Sequence, residues 1–198
     1  GYATFLANNG ISAFVVDYRV YPNTFPLPLL DARRGVRFVR HNAQKFGIDK
    51  NKVYVMGSSA GGHLASTAAT HYVDEATRPD FQILVYPVIT MERPYTHEGS
   101  RFGLLGAEPS EELVQLYCNH KQVTGNTPAA FILAASDDWL VPVKNSLMYY
   151  EALIENKVSA TMHIYPTGGH GFGWGDNYIY KSEWASELER WFNTIVFK

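Results

Sequence analysis

The chain has 198 residues, of which 46% are hydrophobic, 14% aromatic and 18% charged. This composition belongs to a folded globular chain and argues against disorder. Seventeen Lys and Arg against nineteen Asp and Glu leave a net charge of −2, so no basic excess is present to hold nucleic acid or an acidic membrane surface. The lone cysteine, Cys118, excludes an internal disulfide framework, and no apolar run approaches the roughly 20 residues of a bilayer-spanning helix. The length suits one domain.

Apolar spacing alternates along the chain between helix-like stripes and strand-like runs. Tyr2 to Asn9 looks like the end of a helix, stopped by Gly10. The runs Ile11 to Tyr18, Lys52 to Gly57, Phe81 to Pro87, Ala129 to Ser136 and Ala160 to Pro166 read as strands. The middle ones are almost continuously apolar, as parallel strands covered on both faces require. Between them, Val36, Val39, Ala43 and Phe46 form a stripe ended by Gly47. Val143, Leu147, Tyr150 and Ile154 form another after Pro142, a residue suited to a first helical turn. Trp184, Leu188, Trp191 and Ile195 form the last. This order predicts an α/β fold, a doubly wound, mostly parallel sheet flanked by helices, in a single domain over residues 1–198. One irregular, polar insert at about 90–128 interrupts the alternation. It holds one helical candidate, Ser110 to Asn119, with Glu111 and Glu112 near its positive end. A connection of that length in a compact domain is usually functional or a lid.

Gly57-Ser58-Ser59-Ala60-Gly61 fits the pattern G-x-S-x-G. It follows an apolar strand-like run and opens a helix of small residues, so it reads as a sharp strand-to-helix turn that exposes the Ser59 hydroxyl. The alternative is a Gly-rich turn with a capping serine. In the reactive reading, the Ala60 N–H is one donor for a developing oxyanion. A serine hydroxyl becomes a nucleophile only when a base takes its proton, and the base needs an orienting acid. The chain order Ser, Asp, His is met by Asp138, after the fourth strand-like run, and His170, after the fifth. Asp137 is the rival acid, but the Asp-x-x-Val-Pro spacing favours Asp138 and leaves Asp137 as a turn or hydrogen-bonding residue. Trp139, Phe172 and Trp174 are candidates to stack on a substrate ring or to wall the pocket, together with Ser58. Tyr86 and Met91 are candidates for the floor of an acyl pocket. His63, one helical turn after Ser59, reads as a packing residue. Cys118 and His120 are too isolated for a zinc site.

The segment Met56 to Ala65 resembles the elbow of acetyl xylan esterase-like α/β-hydrolases, relatives of the hormone-sensitive-lipase group. Asp17-Tyr18-Arg19, Phe25 to Pro28 with Asp31, and Phe46 to Asp49 look like the same branch. So do Ser100-Arg101 with Leu104 to Gly106, Asp138 to Pro142 with Asn145 to Leu147, and Tyr165 to Phe172. The resemblance implies a serine esterase with Ser59 as nucleophile, His170 as base and Asp138 as orienting acid. It would act on acetyl or other short acyl esters of xylan or related carbohydrates. It implies no metal or organic cofactor, and neither nucleic acid nor a membrane as partner. The family's His-Gly-Gly oxyanion loop is absent from this sequence. The family's sheet order also puts one more strand between the first two strand-like runs. Both features imply that about 60 to 80 residues of a complete domain precede Gly1. Two other functions fit the same residues: a serine peptidase like the prolyl oligopeptidases, which shares the Ser-Asp-His order, and a catalytically impaired hydrolase-fold binding module.

Overall fold

In the computed structural model, which describes residues 1–197, the chain opens with α1 (Tyr2–Asn8), α2 (Leu27–His41) and α3 (Ala43–Phe46). Then follow β1 (Tyr54–Ser58), α4 (Ala60–Thr70) and β2 (Phe81–Val85). The insert carries α5 (Glu98–Leu105), α6 (Glu111–Leu116) and a short 3-10 turn, Asn119–Gln122. The chain closes with β3 (Ala129–Ala135), α7 (Lys144–Glu155), β4 (Ala160–Tyr165) and α8 (Lys181–Trp191), which runs into a π-helical turn. The strands form one parallel four-stranded sheet in the order β1-β2-β3-β4. All four strands therefore end on the same edge. A parallel sheet has to be covered on both faces, and the alternation along β2 and β3 achieves that. Ile83, Val85, Phe131 and Leu133 pack against Trp184, Leu188 and Trp191 of α8, with α1 beside them. Leu84, Ala130 and Ile132 face Tyr149 and Leu153 of α7 and Ala65 of α4.

Two expectations are corrected. The run Ile11 to Tyr18 is not a strand. Its alternation is genuine, but a strand needs a ladder partner, and among the described residues the only pairings are those of the four strands above. Val15 is 88% exposed, and a groove of about 1090 Å³ separates this run from the outer edge of β1. Its far end is held instead by a side-chain fork: Arg19 donates from Nε and Nη2 to Asp31 of α2, at 2.9 and 2.7 Å. Those bonds hold the Asp31 carboxyl down to about 2. The second correction is α5, a helix in a stretch read as irregular. Its cap is His97, whose Nδ1 accepts the Ser100 N–H.

The insert closes over its own cluster of Val88, Met91, Leu105, Val114, Tyr117 and Val141. Asn145, fully buried in α7, fixes its entry. Its Oδ1 accepts from the N–H groups of Ile89 and Thr90, and its Nδ2 donates to the Tyr95 and Pro142 carbonyls. No helix among the described residues is long and apolar enough to cross a membrane.

One polar side chain interrupts the central apolar layer. Gln82 of β2 is fully buried, donating to the Pro128 carbonyl and accepting from the Tyr149 hydroxyl at 3.0 Å. Tyr149→Phe removes that donor and leaves the Gln82 carbonyl oxygen unpaired, so stability by urea unfolding should fall by about 1–3 kcal/mol. A change below about 0.5 kcal/mol would show that the bond is dispensable.

Candidate active site

The turn from β1 into α4 holds Ser59 at φ 54°, a region that residues with a Cβ rarely occupy. The strain of about 1–3 kcal/mol is held by the surroundings. The Ser59 N–H donates to the Val85 carbonyl, and the Ser59 carbonyl accepts from the N–H groups of His63 and Val88. Close approach of backbone to backbone explains the flanking glycines. A Cβ on Gly57 would lie 2.0 Å from the Gly61 carbonyl oxygen, and one on Gly62 would lie 2.7 Å from Pro87 Cβ. Ala60 is the first residue of α4, so its N–H has no partner within the helix and remains a donor beside Ser59.

The structure brings Ser59, His170 and Asp138 together. The Ser59 hydroxyl is 2.8 Å from His170 Nε2, and His170 Nδ1 is 2.8 Å from Asp138 Oδ2. A carboxylate only accepts, so the His170 proton resides on Nδ1 and Nε2 is free to accept from Ser59. Asp138 is itself fixed, its Oδ1 accepting from the N–H groups of Leu140 and Val141. Its side chain is 2% exposed, against 11% for His170. Asp137 points elsewhere and accepts the Gly169 N–H at 2.7 Å, which ties the loop carrying His170 to the loop carrying Asp138.

The aromatic candidates separate. Trp139, 78% exposed, stands beside Asp138 and near Gly169 at the open side of the site. Trp174 does not reach the pocket. It packs 4.5 Å from the Phe5 ring and 4.9 Å from the Trp184 ring, because the chain turns at Gly173 and the indole is drawn into the apolar layer of α1 and α8. Phe172 is buried against Tyr86 and Tyr178. Tyr86 stands beside the imidazole: its ring lies 4.9 Å from the His170 ring, and its φ is 38°. Ser58 lines the large groove beside β1. Met91 lines a smaller cavity beside Ala60.

His97 escaped the sequence reading. It lines that smaller cavity and lies near enough to His170 and Asp138 for their charges to act on it, although burial is what chiefly lowers its pKa. Its one sequence signal was a His three residues before a Ser, a capping arrangement more familiar with Ser, Thr, Asp or Asn. His63 is a structural residue. Its Nε2–H donates to the Tyr117 carbonyl, and Asn119 ties the same turn of α4 to the insert through the His63 carbonyl, Ser66 and Thr67.

The family described as alpha/beta hydrolase fold matches residues 3–173. An acetylxylan esterase of Xylanibacter ruminicola is 39% identical over 194 residues, 96% of this chain and 40% of that protein. A protein named endo-1,4-beta-xylanase B from Butyrivibrio fibrisolvens is 42% identical over 178 residues, 83% of this chain and 28% of that protein. The chain thus spans well under half the length of these curated relatives. Among solved structures, an acetyl ester-xyloside bifunctional hydrolase from Caldicellulosiruptor lactoaceticus superposes with a TM-score of 0.93 at 42% identity, covering 98% of this chain and 75% of that one.

Two outcomes follow from this geometry. Gly57→Ala drives a methyl group into the Gly61 carbonyl, so the turn must shift and stability should fall by about 3 kcal/mol or more. A thermal unfolding midpoint equal to that of the parent would refute the close approach. The second concerns pH. Burial pushes His63 down to about 4, below the ordinary value near 6.5 that it keeps unfolded. The unfolded chain therefore binds the extra proton first, and stability falls as pH drops from 6.5 toward 4, by about 2–3 kcal/mol for this group. His63→Gln should flatten that part of the urea-unfolding pH profile. An unchanged slope would count against a neutral, buried His63.

Proposed function

The chain belongs to the alpha/beta hydrolase family, and from that premise we propose that it is a serine esterase removing acetyl groups from xylan or a related carbohydrate. The observation that carries the proposal is the unbroken hydrogen-bonded chain Ser59–His170–Asp138, with 2.8 Å at each link, standing on a strained turn.

Ser59 Oγ attacks the ester carbonyl while His170 Nε2 takes its proton. Asp138 holds the imidazole in the required tautomer and stabilises the imidazolium that forms. The Ala60 N–H faces the oxygen on which negative charge develops, at the positive end of α4. His170 then protonates the departing sugar hydroxyl, leaving an acetyl group on Ser59. Water activated by His170 releases acetate and restores the serine. Every step is proton transfer or nucleophilic displacement, and the residues present supply each of them. Tyr86, itself packed on Phe172, stands against the imidazole. The acetylated carbohydrate is supported by the names of the relatives, and by the exposed Trp139 indole at the open side, a surface suited to stacking on a sugar ring.

Ser59→Ala should reduce hydrolysis of p-nitrophenyl acetate and of acetylated xylo-oligosaccharides by about three orders of magnitude or more, with the fold intact by circular dichroism. Equal hydrolysis by parent and variant would end the esterase reading. Asp138→Asn should lower kcat by about 10⁴-fold through the wrong tautomer, and Asp137→Asn by far less. Equal losses at the two positions would reassign the acid. Trp139→Ala should raise KM for the oligosaccharide about tenfold, worth about 1.4 kcal/mol, and leave p-nitrophenyl acetate unchanged. Loss on both substrates would exclude a sugar platform.

A further inference from the structure

Tyr86 leaves β2 in a conformation that its own side chain makes costly. Its φ is 38°, in the left-handed region, and only 6% of its surface is exposed. A buried side chain held against such strain points to a task that an ordinary backbone could not place it for. Several contacts hold the ring. The Tyr86 N–H donates to the Leu133 carbonyl at 2.6 Å, and Phe172 meets the ring edge-on with centroids 4.8 Å apart. At the hydroxyl end, a Cβ built on Gly173 would lie 2.7 Å from both the Tyr86 and the Tyr2 hydroxyl oxygens. The remaining neighbour is His170, with ring centroids 4.9 Å apart and planes tilted by 59°. Both nitrogens of that imidazole are already taken, Nδ1 by Asp138 and Nε2 by Ser59, each at 2.8 Å. Tyr86 adds a π system, inside the roughly 6 Å over which an aromatic ring attracts a cation.

We propose that Tyr86 is a positioning residue that acts through His170, its ring stabilising the imidazolium that forms when the base takes the Ser59 proton. The proposal rests on the serine esterase reading of the site and adds an electrostatic partner to the base. As the Ser59 Oγ–acyl carbon bond forms, the hydroxyl proton passes to Nε2 and the imidazole becomes a cation. The proton then goes to the departing alcohol as the acyl carbon–alcohol oxygen bond breaks. In the second step water gives its proton to Nε2 while its oxygen bonds to the acyl carbon, and Ser59 Oγ takes that proton as it leaves. A neutral imidazole gains little from the negative face of an aromatic ring, and an imidazolium gains more. The contact therefore strengthens on the way to the transition state, the condition for an interaction to accelerate a reaction. Burial keeps it from being screened by water. The other titratable and charged groups about His170 are Asp138 on Nδ1, Asp137 through the Gly169 N–H, and His97 of the insert. The Tyr2 phenol, kept neutral chiefly by burial, lies beyond the Tyr86 hydroxyl.

Fluorination tests the ring face at nearly constant size, because fluorine withdraws charge from the π system. Tyr86→Phe keeps the ring and serves as the reference. Tyr86→trifluorophenylalanine keeps the shape and removes most of the negative charge of the face. The experiment measures kcat and KM for p-nitrophenyl acetate against pH in the protein at its natural full length, with the fold checked by circular dichroism. The same variants are titrated while the His170 ring proton is followed by NMR. Relative to Tyr86→Phe, the trifluoro variant should lose about three- to tenfold in kcat with KM unchanged. Its loss of kcat/KM on acidification should set in about half to one pH unit lower, because a less stable imidazolium needs more acid to form. The His170 resonance should titrate lower by the same amount. Equal kcat and an equal acid limb in the two variants overturn the proposal, as does an acid limb displaced to higher pH. A change in KM alone also overturns it, since the ring would then act in substrate binding. A parent that hydrolyses no ester removes the esterase reading, and the NMR titration of the two variants still decides whether the ring stabilises the cation.

Discussion

Everything at the reactive edge depends on one backbone constraint, the close passage of β1 and α4 at the Ser59 turn. The chain reverses from strand to helix with Gly57 too near the Gly61 carbonyl to carry a Cβ, and with Gly62 against Pro87. Three backbone hydrogen bonds fix the strained residue between them, one from Ser59 to the neighbouring strand and two accepted by its carbonyl. This geometry lifts a hydroxyl clear of the sheet and aims the N-terminus of α4 at it. It also forces β2 to leave the sheet in a particular way. Val88 bonds back to the Ser59 carbonyl, and Tyr86 adopts φ 38° with its ring against His170. The turn thus positions both the Ser59 hydroxyl and the ring that packs beside the His170 imidazole.

The remaining two members of the chain of hydrogen bonds come from loops, which sheet geometry alone does not fix. Both loops are tied down by their own polar groups. Asp138 is locked by the N–H groups of Leu140 and Val141, and Asp137 accepts from Gly169 and couples the second loop to the first. Adjacent carboxylates therefore divide two tasks, one holding the imidazole and the other holding the backbone that carries it. The insert is attached to the same framework from the other side, by Asn145 at its entry and Asn119 at its exit. These two buried amides make the wall above α4 part of the site rather than a loose covering.

The parts that could be read from the sequence are those where local chemistry dictates geometry. Glycines around a serine after an apolar run specify the turn. Aspartate and histidine after later apolar runs fall on one edge because parallel strands all end there, and continuous apolar runs specify the buried β2 and β3. What escaped depends on partners. Ile11 to Tyr18 has the period of a strand, but a ladder is a property of two segments, and the facing edge of β1 lies across a groove. Trp174 sits two residues from Phe172, yet a turn at Gly173 sends it against Phe5 of α1 and Trp184 of α8, an outcome of tertiary packing that spacing does not encode. Helix α5 is short and capped by a histidine, so neither propensity nor a familiar cap announced it.

The two flanks of Ser59 differ in kind, and under the proposed esterase reading that difference bears on how an acyl-enzyme would turn over. On the α4 side lies a mainly carbon-lined cavity. On the Asp138 side the site opens beside an exposed indole. Two-step ester hydrolysis needs such asymmetry. The acyl group must stay in place through both steps, whereas the alcohol must leave and water must take its position next to His170. Apolar walls retain a group by keeping it out of water, and an open flank exchanges its contents rapidly with solvent. The insert, anchored through Asn119 and Asn145, lies over the α4 side, while Trp139 in the short loop after β3 stays exposed.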